Sequence, residues 1–115
     1  MKYDYIIVGA GSAGCVIANR LSEDPSTQVL LIEAGGSDRR FFIQMPIGYG
    51  VTYHQKAVNW MYMTEPSPDA DNKPSYWPRG KVMGGSSSIN AMVYVRGNSR
   101  DFDQWSESGN PGWSY

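Results

Sequence analysis

An α/β fold built on one βαβ unit, with a long extended arm behind it, is what this sequence predicts, and three observations predict it. An apolar run near the start, Tyr5-Ile6-Ile7-Val8, breaks into Gly9-Ala10-Gly11-Ser12-Ala13-Gly14, three glycines spaced GxGxxG. Helical periodicity follows, and a second apolar run, Gln28-Val29-Leu30-Leu31-Ile32, ends on an acid, Glu33. From Gly35 to Gly80 no period is sustained, and most of the 7 prolines fall there. So long a stretch without periodicity does not suit the inside of a small compact domain.

Each element has its own signal. Asp4 stands just ahead of the first strand, which therefore begins almost at the terminus. After the glycines, Ala13, Ile17 and Leu21 recur at the four-residue spacing of one helix face, the face expected to cover the sheet. Ser22 to Thr27 is a polar stop containing Pro25, and Gln28 to Ile32 then reads as a fully buried parallel strand. Ala34 to Asp38 is a turn. Arg39-Arg40 and Phe41-Phe42-Ile43 form a short amphipathic piece, followed by irregular backbone from Met45 to Gly50. Asn59 to Glu65 alternates as a short strand, stopped by Pro66 and Pro68. Its return strand is Ser75-Tyr76-Trp77, across the polar turn Asp69 to Pro74. Gly84-Gly85-Ser86-Ser87-Ser88 is a bend, after which Ala91, Val93 and Val95 alternate with Met92, Tyr94 and Arg96 as a strand would. Asn98 to Asp101 then caps a short helix carrying Phe102 and Trp105 and closed by Gly109.

The glycine pattern has a chemical reading. A dinucleotide pyrophosphate needs backbone close to its oxygens and a helix N-terminus whose free N–H groups and positive dipole end face the anion. In this Rossmann-like arrangement Gly9 permits the tight turn, Gly11 the close approach and Gly14 the contact of helix with strand. Glu33 lies 19 positions beyond Gly14, where such a unit presents a carboxylate to the two ribose hydroxyls of an adenosine. Its charge argues against a 2′-phosphorylated cofactor. The adenosine could belong to FAD or to NAD. The Gly-Gly-Ser bend offers N–H and O–H donors suited to phosphate oxygens or to the polar rim of a flavin, and the strand predicted after it would fix those donors in place.

Composition narrows the classes. The chain has 115 residues, 41% of them hydrophobic, which is ordinary for a soluble domain. Two strands and one helix cannot cover both faces of a parallel sheet, so the remaining sheet is expected from elsewhere in a larger protein. A formal net charge of −1 and the lack of a basic run give no footprint for nucleic acid. The single cysteine, Cys15, is expected to pack on the helix, and the single histidine, His54, to sit at the surface. No metal site is expected. No signal peptide or membrane span is visible, so the expected location is the cytoplasm, with peripheral attachment at the inner membrane left open.

At these residues the sequence resembles a known family. Gly9 to Gly14 with Glu33-Ala34-Gly35 is similar to the FAD-binding start of the glucose-methanol-choline (GMC) oxidoreductases, and Gly80 to Asp103 resembles that family's first signature. Asn59-Trp60, Thr64-Glu65-Pro66 and Trp77-Pro78-Arg79-Gly80-Lys81 add to the likeness, which is strongest to choline dehydrogenases and bacterial dehydrogenases of aliphatic alcohols. Met83 departs from the family's usual leucine or tryptophan. The resemblance implies that residues 1–115 are the N-terminal part of an FAD-binding domain, with the substrate domain and the rest of the chain needed for folding lying elsewhere. It implies transfer of hydride from a small-molecule alcohol, choline-like or aliphatic, to flavin, giving an aldehyde or ketone. The electron acceptor, whether oxygen, a quinone or another, stays open. By the family pattern Gly9, Gly11, Ser12 and Gly14 hold the pyrophosphate and Glu33 the ribose, while Gly84, Gly85, Ser86, Ser87, Asn90, Ala91, Met92 and Val93 line the flavin side. Ala13, Ala34, Trp60, Gly80, Lys81 and Val82 complete the cofactor-binding set. No catalytic residue is assigned, since the family's histidine base matches nothing in this sequence. Some members attach FAD through a histidine just before the asparagine of the second motif; Ile89 stands there, so FAD is expected to bind non-covalently. Non-redox or light-driven relatives of the family, lyases and decarboxylases, and a plain NAD-binding module remain the alternative readings.

Overall fold

The structure, a computed structural model, describes residues 2–115. Strand β1 (Tyr5–Val8) and strand β2 (Val29–Ile32) pair in parallel with Tyr5 opposite Val29 and Val8 opposite Ile32, joined through helix α1 (Ser12–Leu21). The predicted βαβ unit is therefore present. Its pairing runs past both strand ends: Asp4 N–H donates to the Gln28 carbonyl at 2.8 Å and Gly9 N–H to the Ile32 carbonyl at 2.7 Å. The Asp4 carboxylate accepts from Gln28 N–H at 2.9 Å, so the residue ahead of β1 also anchors the start of β2.

Of the face its spacing suggested, the helix turns only Leu21 toward the sheet. Ala13 is exposed and Ile17 is 48% exposed, whereas Gly14, Cys15, Ala18 and Leu21 are half-buried. Gly14 is the cause. A Cβ there would run into the Gly9 carbonyl and lie 3.4 Å from the Ile7 side chain, so the bare Cα lets the helix press against β1 at that point. The face centred on Gly14 turns inward and Ile17 turns away. Strand β2 likewise departs from the fully buried strand expected of it. Its first three residues are half-buried and Ile32 is exposed, because α1 covers one face of a sheet only two strands wide.

The arm is more structured than its irregular sequence suggested. It holds two single-turn helices, α2 (Phe41–Gln44) and α3 (Tyr49–Thr52), separated by a 3-10 turn at Pro46–Gly48. A hairpin follows, β3 (Tyr62–Met63) against β4 (Tyr76–Trp77), antiparallel, as the alternation predicted. Its turn includes a 3-10 segment at Pro68–Ala70, with Asp71 and Asn72 in the left-handed region that short polar side chains tolerate. The buried Asn59 fastens the hairpin to the arm. Its Oδ1 accepts from the N–H groups of Met61 and Arg79, both at 2.9 Å, and its Nδ2 donates to the Tyr53 carbonyl at 2.8 Å and to the Tyr76 hydroxyl at 3.1 Å. All four hydrogen-bonding positions of the amide are thus used.

Residues 91–98 form no strand, against the alternation read from Ala91, Val93 and Val95. A strand is defined by a partner, and this segment has none among the described residues; it is exposed throughout. Helix α4 (Ser99–Glu107) follows as expected, with the Asn98 side chain accepting from Arg100 N–H at 3.0 Å and Gly109 beyond its C-terminus at φ +96°.

The hydrophobic core is small. Val58 and Val82 are fully buried, Ile89 is 7% exposed, and Ile43 packs against them from the side. Large apolar side chains such as Val8, at 83% exposure, lie open. The radius of gyration is 18.2 Å, where a compact domain of this length has about 13 Å. No helix is long and apolar enough to cross a membrane among the described residues. With so little apolar surface buried, the 115-residue chain on its own should unfold without cooperativity. Differential scanning calorimetry checks this: a broad, shallow trace is expected, and one sharp endotherm would contradict it.

Candidate functional site

The two glycine motifs, about 70 residues apart in sequence, meet in space. Gly84 N–H donates to the Ala10 carbonyl at 2.7 Å, and Gly11 and Gly84 form a parallel bridge. Gly85 then crosses the GxGxxG turn so closely that a Cβ on it would lie 2.9 Å from the Gly11 Cα, and its φ of +58° is itself a glycine conformation. Upstream, the same segment pairs with the arm and with the turn after β2. Lys81 N–H donates to the Val58 carbonyl at 2.8 Å, and Met83 N–H to the Gly36 carbonyl at 2.9 Å. The second motif is therefore held by backbone pairing before it, not by the strand predicted after it.

A groove of about 510 Å³ opens over this junction. Gly9, Gly11, Glu33 and Ala34 line one side, at the C-terminal ends of the two parallel strands, where ligands of α/β sheets bind. Trp60, Gly80, Gly85 and Ser86 line the other. Eight of the nineteen residues assigned from the sequence thus share one cavity. No atom beyond the adjoining residues lies within 4 Å of where a Cβ would stand at Gly9 or Gly11, so the space above both is open to a ligand. Gly11 is the N-cap of α1 and supplies no side-chain cap, which leaves the first N–H groups of the helix uncapped by protein side chains. An open glycine cradle beside an uncapped helix start, with a carboxylate across from it, is a donor and acceptor set that fits a pyrophosphate and a ribose.

The other assigned residues lie around this groove in different ways. Ser12 and Ala13 are exposed at the start of α1, and Gly14 lies against the turn. Lys81 places its Nζ 4.6 Å from the centre of the Trp60 ring. Val82 is in the core, where its side chain meets only protein. The serine hydroxyls are less free than the bend suggested. Ser87 donates to the Gly84 carbonyl at 2.6 Å and Ser88 to the Met83 carbonyl at 2.7 Å, whereas Ser86 accepts from Gly80 N–H at 3.1 Å and keeps its own proton available.

Asn90 and Ala91 line a second cavity of about 270 Å³ that shares Arg79 and Ser86 with the groove. Ser87, Asn90 and Met92 line a third, of about 220 Å³, which shares Tyr49 and Asn90 with the second. All three take part of their lining from residues 85–92. Val93 lines none of them and is exposed. Sequence reasoning missed Val8, Ile32, Tyr62 and Arg79 in the groove and Tyr49, Thr52 and Tyr53 in the neighbouring cavities. Val8 and Ile32 end strands that feed glycine turns, a signal that could have found them; the arm residues carried no comparable signal. No cluster of metal-binding side chains occurs among the described residues. Remote from the groove, the Ser26 hydroxyl, then the Ser26 N–H, hold the exposed Asp24 carboxyl below its usual range.

Residues 3–115 match the family described as GMC oxidoreductase. An oxygen-dependent choline dehydrogenase of Vibrio vulnificus is 57% identical over 98% of this chain and 20% of its own length. An alcohol dehydrogenase [acceptor] of Pseudomonas putida is 52% identical over the same shares. Among solved structures, a pyridoxine 4-oxidase from Mesorbium loti superposes with a TM-score of 0.78 at 40% identity, covering 99% of this chain and 22% of that one. The chain spans about a fifth of the length of the relatives it matches.

The contact between Gly85 and Gly11 yields a test in the full-length protein. Gly85→Ala should lower the melting temperature, since it places a Cβ on backbone in a conformation costing about 1–2 kcal/mol. Gly50→Ala, in helix α3 with open space at its Cβ, should be neutral or stabilising by up to about 1 kcal/mol. Equal melting temperatures for the two variants would contradict the close docking of the motifs.

Proposed function

The chain belongs to the GMC oxidoreductase family, and on that premise we propose that the protein carrying it is an FAD-dependent oxidoreductase of the CH–OH group of a small alcohol, choline-like or aliphatic. The product would be the aldehyde or ketone. One observation carries the reading: the groove that gathers the glycine turn, Glu33 and the Gly-Gly-Ser bend at the ends of two parallel strands. The names of the choline dehydrogenase and alcohol dehydrogenase relatives support the substrate class.

In this reading FAD, when bound, supplies the ring that accepts a hydride from the carbinol carbon. The residues of this chain bind and orient. The uncapped N–H groups of Ser12, Ala13 and Gly14 take the pyrophosphate oxygens, and the α1 dipole favours their charge. Glu33 accepts from the ribose hydroxyls. Ser86, with its proton available, and the backbone from Asn90 to Val93 stand on the flavin side. The base that takes the hydroxyl proton is proposed to lie outside this stretch, which makes up about a fifth of its relatives' length. The full-length protein should purify yellow, and choline or a short primary alcohol should bleach the flavin band under anaerobic conditions. A colourless protein, or a flavin that no such alcohol bleaches, would overturn the reading.

Non-covalent attachment is part of the same proposal. Ile89 has no nucleophile, and its side chain is turned into the core with Val58 and Val82. Cys15 sits on the pyrophosphate helix, at the other end of an extended cofactor. Acid precipitation of the holoenzyme should therefore leave all the flavin in the supernatant. Fluorescence that stays with the washed pellet would show a covalent bond.

A further inference from the structure

Glu33 does more in this structure than face the groove. One carboxylate oxygen, Oε2, accepts the Ala10 N–H at 2.8 Å, and the other, Oε1, accepts the Gly35 N–H at 2.9 Å. A single charged group thus ties the turn after β1 to the turn after β2. Ala10 is fully buried, and its carbonyl is held from the opposite side by Gly84 N–H at 2.7 Å and by the Cys15 thiol at 3.3 Å.

The peptide bond is planar and trans, so fixing one of its polar atoms fixes the direction of the other. Holding Ala10 N–H sets the Gly9–Ala10 plane. Holding the Ala10 carbonyl sets the Ala10–Gly11 plane and turns the Gly11 N–H away from Gly84. Glycine has more conformational freedom to lose than any other residue, this turn has one on each side of Ala10, and a charge-assisted hydrogen bond is strong enough to restrict it.

We propose that Glu33 is a positioning residue for the pyrophosphate turn, holding Ala10 so that the backbone donors of residues 11–14 are set before the cofactor arrives. The proposal rests on the FAD reading above and extends it. The two roles of Glu33 are compatible: an ionised carboxylate has about four acceptor positions, and the two backbone N–H groups leave room for two ribose hydroxyls. Glu33→Gln keeps the shape but offers one acceptor oxygen, so one of the two N–H groups then faces an amide N–H.

The experiment separates the turn from the ribose. Dissociation constants are measured for full-length wild type and Glu33→Gln with FAD and with an FAD analogue lacking both hydroxyls on the adenosine ribose. A residue acting only through those hydroxyls would bind the analogue equally well in both proteins. The clamp predicts that Glu33→Gln still binds the analogue about tenfold more weakly than wild type does, the size expected for a hydrogen bond to a charged group. The ³¹P resonances of the bound pyrophosphate should also shift in the variant, which a mere loss of folded protein would not cause. Should Glu33→Gln fail to fold, Glu33→Asp, charged but one methylene short, should show the same loss on the analogue. Equal analogue affinities with unmoved ³¹P resonances would overturn the clamp and leave the FAD reading intact. A wild-type protein that binds no FAD would overturn both.

Discussion

The structure depends on the backbone of residues 79–84, which is hydrogen-bonded along its length to three segments distant in sequence. Arg79 and Lys81 pair with Trp60 and Val58 of the arm, Met83 with Gly36 after β2, and Gly84 with Ala10 in the first glycine turn. Such a rail is possible only where main chains come closer than side chains allow. A Cβ on Gly35 would strike the Lys81 carbonyl, and one on Gly80 the Gly85 carbonyl. The glycines of both motifs therefore serve assembly as well as ligand access, and the same bare Cα atoms that admit a phosphate also admit the neighbouring strand of backbone.

What keeps the arm in register with this rail is chiefly polar. Asn59 is 1% exposed and uses every hydrogen-bonding position of its amide, and the Tyr76 hydroxyl donates to the same Tyr53 carbonyl at 2.6 Å. Removing one partner of such a set would leave buried groups unpaired, at about 1–3 kcal/mol each. Hydrogen bonds give direction to the packing, and the apolar cluster of Val58, Val82 and Ile89 beneath them is too small to dictate it. Apolar side chains on β1, β2 and α1 are broadly exposed in this stretch, which makes up about a fifth of the length of the relatives it matches.

The groove takes its character from this construction. Apart from the side chains of Trp60, Tyr62 and Arg79, its donors are backbone N–H groups and the Ser86 hydroxyl, set on crossing main chains, and its acceptor is a carboxylate held at both oxygens. Groups so constrained lose little freedom on meeting a ligand, which is what preorganisation contributes to binding. Trp60 and Tyr62, stacked with ring centres 5.9 Å apart, give the same groove an aromatic wall.

The sequence by itself determined the parts whose signals are local. Periodicity and punctuation marked β1, α1 and β2, the alternation around Trp60 and Tyr76 marked the hairpin, and Asn98 marked the start of α4. The spacing from Gly14 to Glu33 brought the glycine turn and the carboxylate to the same strand ends. Tertiary structure decided what depends on a distant partner. Which face of α1 turns inward follows from the contact between Gly14 and the Gly9 carbonyl, and periodicity could not rank Ile17 below a glycine. The alternation of residues 91–96 promised a strand that no neighbouring backbone completes, because strand propensity describes a surface that needs a partner. The docking of Gly84 on Ala10 and the bridging of Ala10 and Gly35 by Glu33 are pairings of backbone groups. Every residue but proline carries the same N–H and C=O, so no residue type announces which of them will meet.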